Sequence, residues 1–99
     1  MAEIKFELDK SNRGAFKLYD ESGFAGEMAV SLNGNKLTVY HTEVKPEAAG
    51  KGYAKQLLEA MVAYVRQSKL MVIPLCPFVH AQFKRHSEMY ADVWDGKMV

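Results

Sequence analysis

Three groups of residues in this chain have types and spacings suited to chemistry. The first is Gly50-Lys51-Gly52, between a strand-like segment and a helix-like one. Glycines flanking one residue let the backbone turn so that several N–H groups converge. A helix that follows adds roughly half a positive charge at that end. A diphosphate is a natural ligand for such a turn, although the same glycines also serve where a strand merely has to become a helix. The loop has neither the six-position glycine fingerprint of a dinucleotide fold nor the Gly-Lys-Ser/Thr of a P-loop. The second group is Cys76-Pro77, where an apolar run meets a helical pattern. A cysteine at a helix N-terminus is placed to favour its thiolate; the alternative is a small buried apolar residue, the common fate of free cysteine. The third is His41 with Glu43, two positions apart and therefore on one face of a strand. Either can act as a general base, and an ordinary histidine pKa of ~6.5 suits that task. The plain alternatives are a hydrogen-bonded structural histidine and a solvated carboxylate. His80 and His86 lack the spacing and partners of a metal site. Lys51, Lys84 and Arg85 are available to phosphates or simply to solvent.

The elements that must position these groups follow from periodicity. Ile4, Phe6 and Leu8 alternate with Lys5, Glu7 and Asp9, which is the pattern of a half-buried strand. Lys10 to Gly14 is a turn, and a second strand runs over 15–19 with Phe16 and Leu18 on one face. A turn at 20–23 leads to a third strand over 24–32, in which Gly26 marks a bulge or a close backbone approach. Asn33-Gly34 is a hairpin signal with both central residues at positive φ. The fourth strand runs over 37–44, and the loop from Lys45 to Gly52 follows. From about Tyr53 to Ser68 the residues Ala54, Leu57, Leu58, Met61, Val62 and Val65 form one helical stripe. Leu70 to Leu75 is a short apolar run suited to a buried strand. Pro77 then opens a second helix to about His86, at a position where its missing N–H costs nothing. In it, Val79 and Phe83 at helical spacing read as core. Beyond Ser87, Tyr90, Val93 and Trp94 are placed to dock, while Asp95-Gly96-Lys97 reads as a frayed end, so the tail from 92 to 99 is expected to fray. The order is β-β-β-β-α-β-α, an α+β mixed sheet with helices packed on it. The first helix makes a right-handed crossover if the fourth and fifth strands are parallel neighbours.

Composition bounds the class. Ninety-nine residues, 48% hydrophobic and 25% charged, make one globular domain over 1–99. One cysteine excludes an internal disulfide framework and any multi-cysteine metal site. Thirteen basic against twelve acidic residues leave a formal charge of +1, which gives no bulk attraction to nucleic acid or anionic membrane. No apolar run approaches the roughly 20 residues of a membrane span, and the N-terminus lacks a signal-peptide pattern. The expected setting is cytoplasmic. The first strand, as an exposed edge, can pair between chains, so a monomer or weak dimer is expected.

Taken together, His41-Thr42-Glu43-Val44, Pro46-Glu47 and Gly50-Lys51-Gly52-Tyr53-Ala54-Lys55-Gln56-Leu57-Leu58 resemble the acetyl-CoA-binding segment of the GNAT N-acetyltransferase superfamily. Cys76-Pro77-Phe78-Val79, Arg85-His86 and Tyr90-Ala91-Asp92 resemble its short, minimal branch, and the likeness spans about Phe6 to Asp92. The resemblance implies a GNAT-like sheet whose fourth and fifth strands splay near Val44 and Cys76, with the co-substrate acetyl-CoA in the opening. It implies a pyrophosphate on backbone N–H groups from Ala49 through Gly50, Lys51, Gly52 and Tyr53 to Ala54. It also implies pantetheine amides paired with His41 to Val44 as an added strand, with Phe78 and Phe83 available to line the channel. The thioester then lies between His41, Glu43 and Cys76. The superfamily's usual Gln or Arg at the start of the glycine pattern is Ala49 here, which removes a common brace of the loop.

The activity so implied is transfer of acetyl from acetyl-CoA to an amine of a small molecule or protein. His41 or Glu43 takes the proton, N–H groups near Val44 polarise the carbonyl, and Cys76 accepts acetyl, protonates the departing thiolate or is only structural. The alternative is a CoA-binding or protein-interaction module with little or no catalysis. No metal is expected.

Overall fold

Alternating residues build the first strand as expected: in the computed structural model, which describes residues 2–96, Ile4, Phe6 and Leu8 are half-buried and Glu3, Lys5 and Glu7 exposed. The elements are β1 (Glu3–Leu8), β2 (Arg13–Asp20), β3 (Gly23–Asn33), β4 (Lys36–Val44), a 3-10 turn (Pro46–Ala48), α1 (Tyr53–Gln67), β5 (Met71–Pro74) and α2 (Pro77–Arg85). They form one mixed sheet in the order β1-β2-β3-β4-β5. The first three pairings are antiparallel, and β4 and β5 are parallel neighbours joined across α1.

The strand register divides the sheet into two unlike faces. Phe6 opposes Phe16, Phe16 opposes Met28, Val30 opposes Val39 and Leu37 opposes Val72, so these residues share one face. They lie in one core with Leu57, Leu58, Met61, Val62 and Val65 of α1 and Val79 and Phe83 of α2. Both helices therefore cover the same face. The other face carries Lys5, Lys17, Glu27, Ala29, His41 and Glu43 by the same register, with no helix on it among the described residues.

Two local features of the sheet matter for the site. Leu18 opposes Gly26 but Tyr19 opposes Phe24, which leaves Ala25 as the extra residue of a bulge. A Cβ on the adjacent Gly26 would stand 2.7 Å from the Glu43 carbonyl oxygen, so the glycine also serves a close backbone approach. The hairpin turn differs from expectation. Asn33 pairs with Lys36, so the central residues are Gly34 and Asn35, and only Gly34 (φ 62°) has positive φ. One glycine at the first central position suffices for the tight turn.

Residues 92–96, expected to fray, are held to the sheet. Trp94 bridges Val72 in parallel, with Val72 N–H donating to the Val93 carbonyl (2.6 Å) and Asp95 N–H to the Val72 carbonyl (2.9 Å). Val93 and Trp94 are buried, and Tyr90 stacks on Phe83 at 4.7 Å. Arg66 fastens the segment from outside, donating to Asp92 Oδ2 (3.0 Å) and to the Met89 carbonyl (2.7 Å). The 97–99 part of the expected tail lies outside the described residues.

Candidate active site

β5 pairs over its whole length, but only with the first half of β4. Lys36 to Val39 match Met71 to Pro74, and no residue of β5 opposes His41 to Val44. Tyr40 forces the divergence. Ala29 opposes His41 while Val30 opposes Val39, so Tyr40 is an extra residue that bends β4. The Cys76 N–H closes the base of the opening by donating to the Val39 carbonyl (2.9 Å). Above that bond, His41 to Val44 pair with β3 on one edge and with nothing on the other among the described residues. Free backbone groups along such an edge can take an extended ligand as an additional strand.

The glycine loop lies after that edge. Gly50 (φ 82°) and Gly52 (φ 75°) both adopt the left-handed conformation, and a Cβ on either would meet nothing within 4 Å. Gly52 caps α1 without a side-chain hydrogen bond, and the first turn holds no acidic residue. The first α1 backbone bond of the N-terminus runs from Gln56 N–H to the Gly52 carbonyl (3.1 Å), which leaves the preceding N–H groups of the turn unused by the helix. This end of α1 is thus donor-rich, with no acidic residue in its own first turn, and it fits a phosphate group.

A partner from β2 holds the loop. Asp20 Oδ2 accepts the Tyr53 hydroxyl (2.9 Å) and lies 3.9 Å from Lys51 Nζ, while its Oδ1 accepts the Ser22 N–H (2.8 Å). The Ser22 N–H, then the Tyr53 hydroxyl and the Lys51 charge, hold the Asp20 carboxyl below its ordinary range, against desolvation. The Asp20 carboxylate in turn pushes the Tyr53 phenol up. Tyr53 is thereby fixed at the first position of α1, and Lys51 stays beside the loop with its ammonium 5.9 Å from the Tyr53 ring centroid.

The remaining candidate residues divide between the two faces. Cys76 is 2% exposed, and its Sγ is 3.4 Å from Thr42 Oγ1. Thr42 opposes the buried Met28, so this contact lies on the helix-covered side of the sheet. His41 and Glu43 are exposed and oppose Ala29 and Glu27 on the uncovered side. Thr42 thus faces the thiol, and His41 and Glu43 lie on the opposite face of β4. Their parity follows the Tyr40 bulge. Val44 and Phe78 are half-buried against the core, and Ala49 is exposed, with no side chain to brace the loop. Glu43 and Val44 line a cleft of about 220 Å³ with Phe24, Gly26, Glu27, Lys45 and Pro46.

Residues 15–93 match the family of GCN5-related N-acetyl-transferases. The chain belongs to this family. Among solved structures, a GCN5-like protein from Staphylococcus aureus is 26% identical, with 97% of this chain covering 92% of that one at a TM-score of 0.68. The ribosomal-protein-alanine N-acetyltransferase of Brucella melitensis shares the fold at 13% identity, over 96% of this chain and 92% of its own, with a TM-score of 0.67. The ribosomal-protein-S18-alanine N-acetyltransferase of Escherichia coli does so at 12% identity and a TM-score of 0.67; 75% of this chain matches, spanning 66% of that enzyme. No match is found among curated proteins.

In this member of the family, the residues that the sequence did not single out are Asp20, Tyr40 and Thr42. Asp20 reads as a turn residue, and its partner Tyr53 is 33 positions away. Tyr40 sits in an unbroken strand pattern, with no glycine to announce a bulge. Thr42 gains its meaning only from Cys76, 34 positions later. Among the described residues, no three His, Cys, Asp or Glu side chains gather to hold a metal, and no helix is long and apolar enough to cross a membrane.

Proposed function

We propose that this chain binds acetyl-CoA in the opening between β4 and β5 and transfers the acetyl group to an amine of a small molecule or protein. The observation that carries this reading is the unpaired edge of His41–Val44 leading to an uncapped, left-handed glycine loop. Acetyl-CoA supplies the activated acyl group. Its pyrophosphate suits the N–H groups of residues 49–54, and its pantetheine amides suit the free edge of β4. N–H groups near Val44 polarise the thioester carbonyl. The amine nitrogen bonds to the carbonyl carbon, the carbon–sulfur bond breaks, and a proton leaves the nitrogen.

Two faces suit the two halves of this reaction. Cys76, with Thr42 beside it, is on the side that protonates the departing thiolate. His41 and Glu43, on the uncovered face, take the proton of an amine that approaches from there, directly or through water. A second reading, a CoA-binding module with little catalysis, is favoured by one observation: neither His41 nor Glu43 has a side-chain partner among the described residues to orient it.

Calorimetric titration with acetyl-CoA tests the co-substrate, using Gly52→Asp and Gly52→Asn. Both side chains tolerate the left-handed region better than others, so their difference reads the added charge. Saturable binding that survives in G52N and weakens about tenfold or more in G52D is expected. A wild-type chain that binds no acetyl-CoA overturns the proposal. Turnover with amines and peptide N-termini then separates the two readings, because tight binding without transfer favours the module.

A further inference from the structure

The sheet has two edges, and among the described residues only one of them is covered. On the β5 side, Val93 and Asp95 hydrogen-bond to Val72, and the Lys36–Asp95 ion pair (2.8 Å) closes the end. On the β1 side, no described residue pairs with the outer edge of Glu3–Leu8. This edge is six residues long and carries no proline or bulge. It thus lacks the usual devices that keep an edge from pairing, apart from its charges.

The register shows which backbone groups face outward. Asp9 N–H donates to the Arg13 carbonyl (2.7 Å), one step beyond the Leu8–Gly14 pair. In an antiparallel pair the hydrogen-bonded positions alternate, so Glu7, Lys5 and Glu3 bond to β2 as Asp9 does. Ile4, Phe6 and Leu8 therefore present their N–H and C=O groups to the free edge.

We propose that β1 pairs antiparallel with β1 of a second copy of this chain, about a two-fold axis at Phe6, to give a continuous ten-stranded sheet. The side chains select this register. Centred on Phe6, the pairing sets Ile4 opposite the second copy's Leu8 and Phe6 opposite Phe6 on the helix-covered face. On the other face it sets Lys5 opposite Glu7 twice, while the like-charged Glu3 and Asp9 meet only at the ladder's ends, where Asp9 lies beyond β1. Centring on Lys5 sets lysine against lysine and Glu3 against Glu7, and centring on Glu7 sets glutamate against glutamate; centring on Ile4 pairs Lys5 with Glu3 but sets Phe6 against Ala2 and leaves Leu8 without a partner. Like charges directly opposed are unfavourable, whereas opposite charges and apolar pairs stabilise a ladder. The apolar row also continues an existing one, because Phe6 already stacks on Phe16 (4.3 Å) and packs on Tyr64 (4.6 Å). Glu7 is bridged to Lys17 (3.3 Å) and Lys5 lies over the Tyr19 ring (5.6 Å), which places both charges on the uncovered face of the sheet beside the free edge. The contact is one strand long, which fits a weak, reversible dimer.

Charge swaps test the pairing. Lys5→Glu sets glutamate against glutamate at both crossings, and Glu7→Lys sets lysine against lysine. Sedimentation velocity over roughly a hundredfold range of concentration is expected to show wild-type self-association, with each single variant associating at least about tenfold more weakly. Mixing K5E with E7K restores the opposite pairs and is expected to restore the dimer. Circular dichroism reports whether each variant is folded. A second measurement needs no variant: amide exchange at Ile4, Phe6 and Leu8 in the wild-type chain is expected to slow as concentration rises. A wild type that remains monomeric, singles that associate as the wild type does, a folded K5E and E7K mixture that stays monomeric, or exchange at those amides that ignores concentration overturns the proposal.

Discussion

Cys76 stands at the junction of β5 and α2 with almost no exposure, and its Sγ lies 3.4 Å from Thr42 Oγ1. A buried thiol beside a hydroxyl, at the base of an opening, is suited to giving up a proton at one fixed point. Cys76→Ala is expected to lower turnover at least about tenfold while leaving acetyl-CoA affinity within about twofold, read by steady-state kinetics and calorimetry side by side. Full turnover in that variant removes the thiol from the reaction. Asp20 contributes to the acid side of stability. Its carboxyl is held below its ordinary value of 3.8 by the Ser22 N–H, then Tyr53 and Lys51, and Arg66 does the same for Asp92. A lowered folded value means that the unfolded chain binds these protons first as pH falls. The stabilisation is complete above the unfolded value and is lost as pH drops through 3.8 and then through the folded value. Denaturant midpoints measured from about pH 7 to pH 2 are expected to fall across that window, and Asp20→Asn to flatten part of the fall. Cys76, His41 and Glu43 were legible as reactive types from sequence. Which of them meet was not, because one extra residue in β4 reverses the face on which every later side chain lies.

At the scale of elements, α1 carries the proposed phosphate-binding turn at its start, and its last turn shows how far local sequence reaches. The helix ends with Leu70 N–H donating to the Val65 carbonyl (2.9 Å) and Lys69 N–H to the Arg66 carbonyl (3.3 Å). Lys69 occupies the left-handed position between them at φ 57°, a place that glycine normally fills. Lys69→Gly is expected to raise unfolding free energy by about 0.5 kcal/mol, since removing the strain of a side chain there outweighs the extra freedom of glycine in the unfolded chain. Chemical denaturation monitors it, and a lower midpoint counts against the strain. The stripe from Leu57 to Val65 announced α1 because its period matches a helix, and Ile4, Phe6 and Leu8 announced β1 because theirs matches a strand. The hairpin at Gly34-Asn35 was one position out, since turn propensity marks the glycine but not which strand claims Asn33.

At the scale of the whole molecule, the two helices and Tyr90, Val93 and Trp94 cover one face of a five-stranded sheet, and Trp94 pairs along the β5 edge. Trp94, 6% exposed and 5.8 Å from both Phe83 and His80, fixes that end. Trp94→Ala is expected to cost about 3 kcal/mol or more, as large aromatic truncations in a core do, and to release the segment that Arg66 and Lys36 fasten. Thermal melting reads the first effect and amide exchange at Val72 and Asp95 the second. Sequence by itself determined the element order, the apolar faces, the glycine loop ahead of α1 and the family to which the chain is similar. These are set by residue type and by spacings within one element, where period and local sterics decide. Only the tertiary structure decided that Asp20 holds Tyr53, that Thr42 faces Cys76 while His41 and Glu43 look away, and that residues 92–96 close the sheet. Each of these depends on residues distant along the chain, or on a bulge whose position is set by how neighbouring strands pack, and no local period records such contacts.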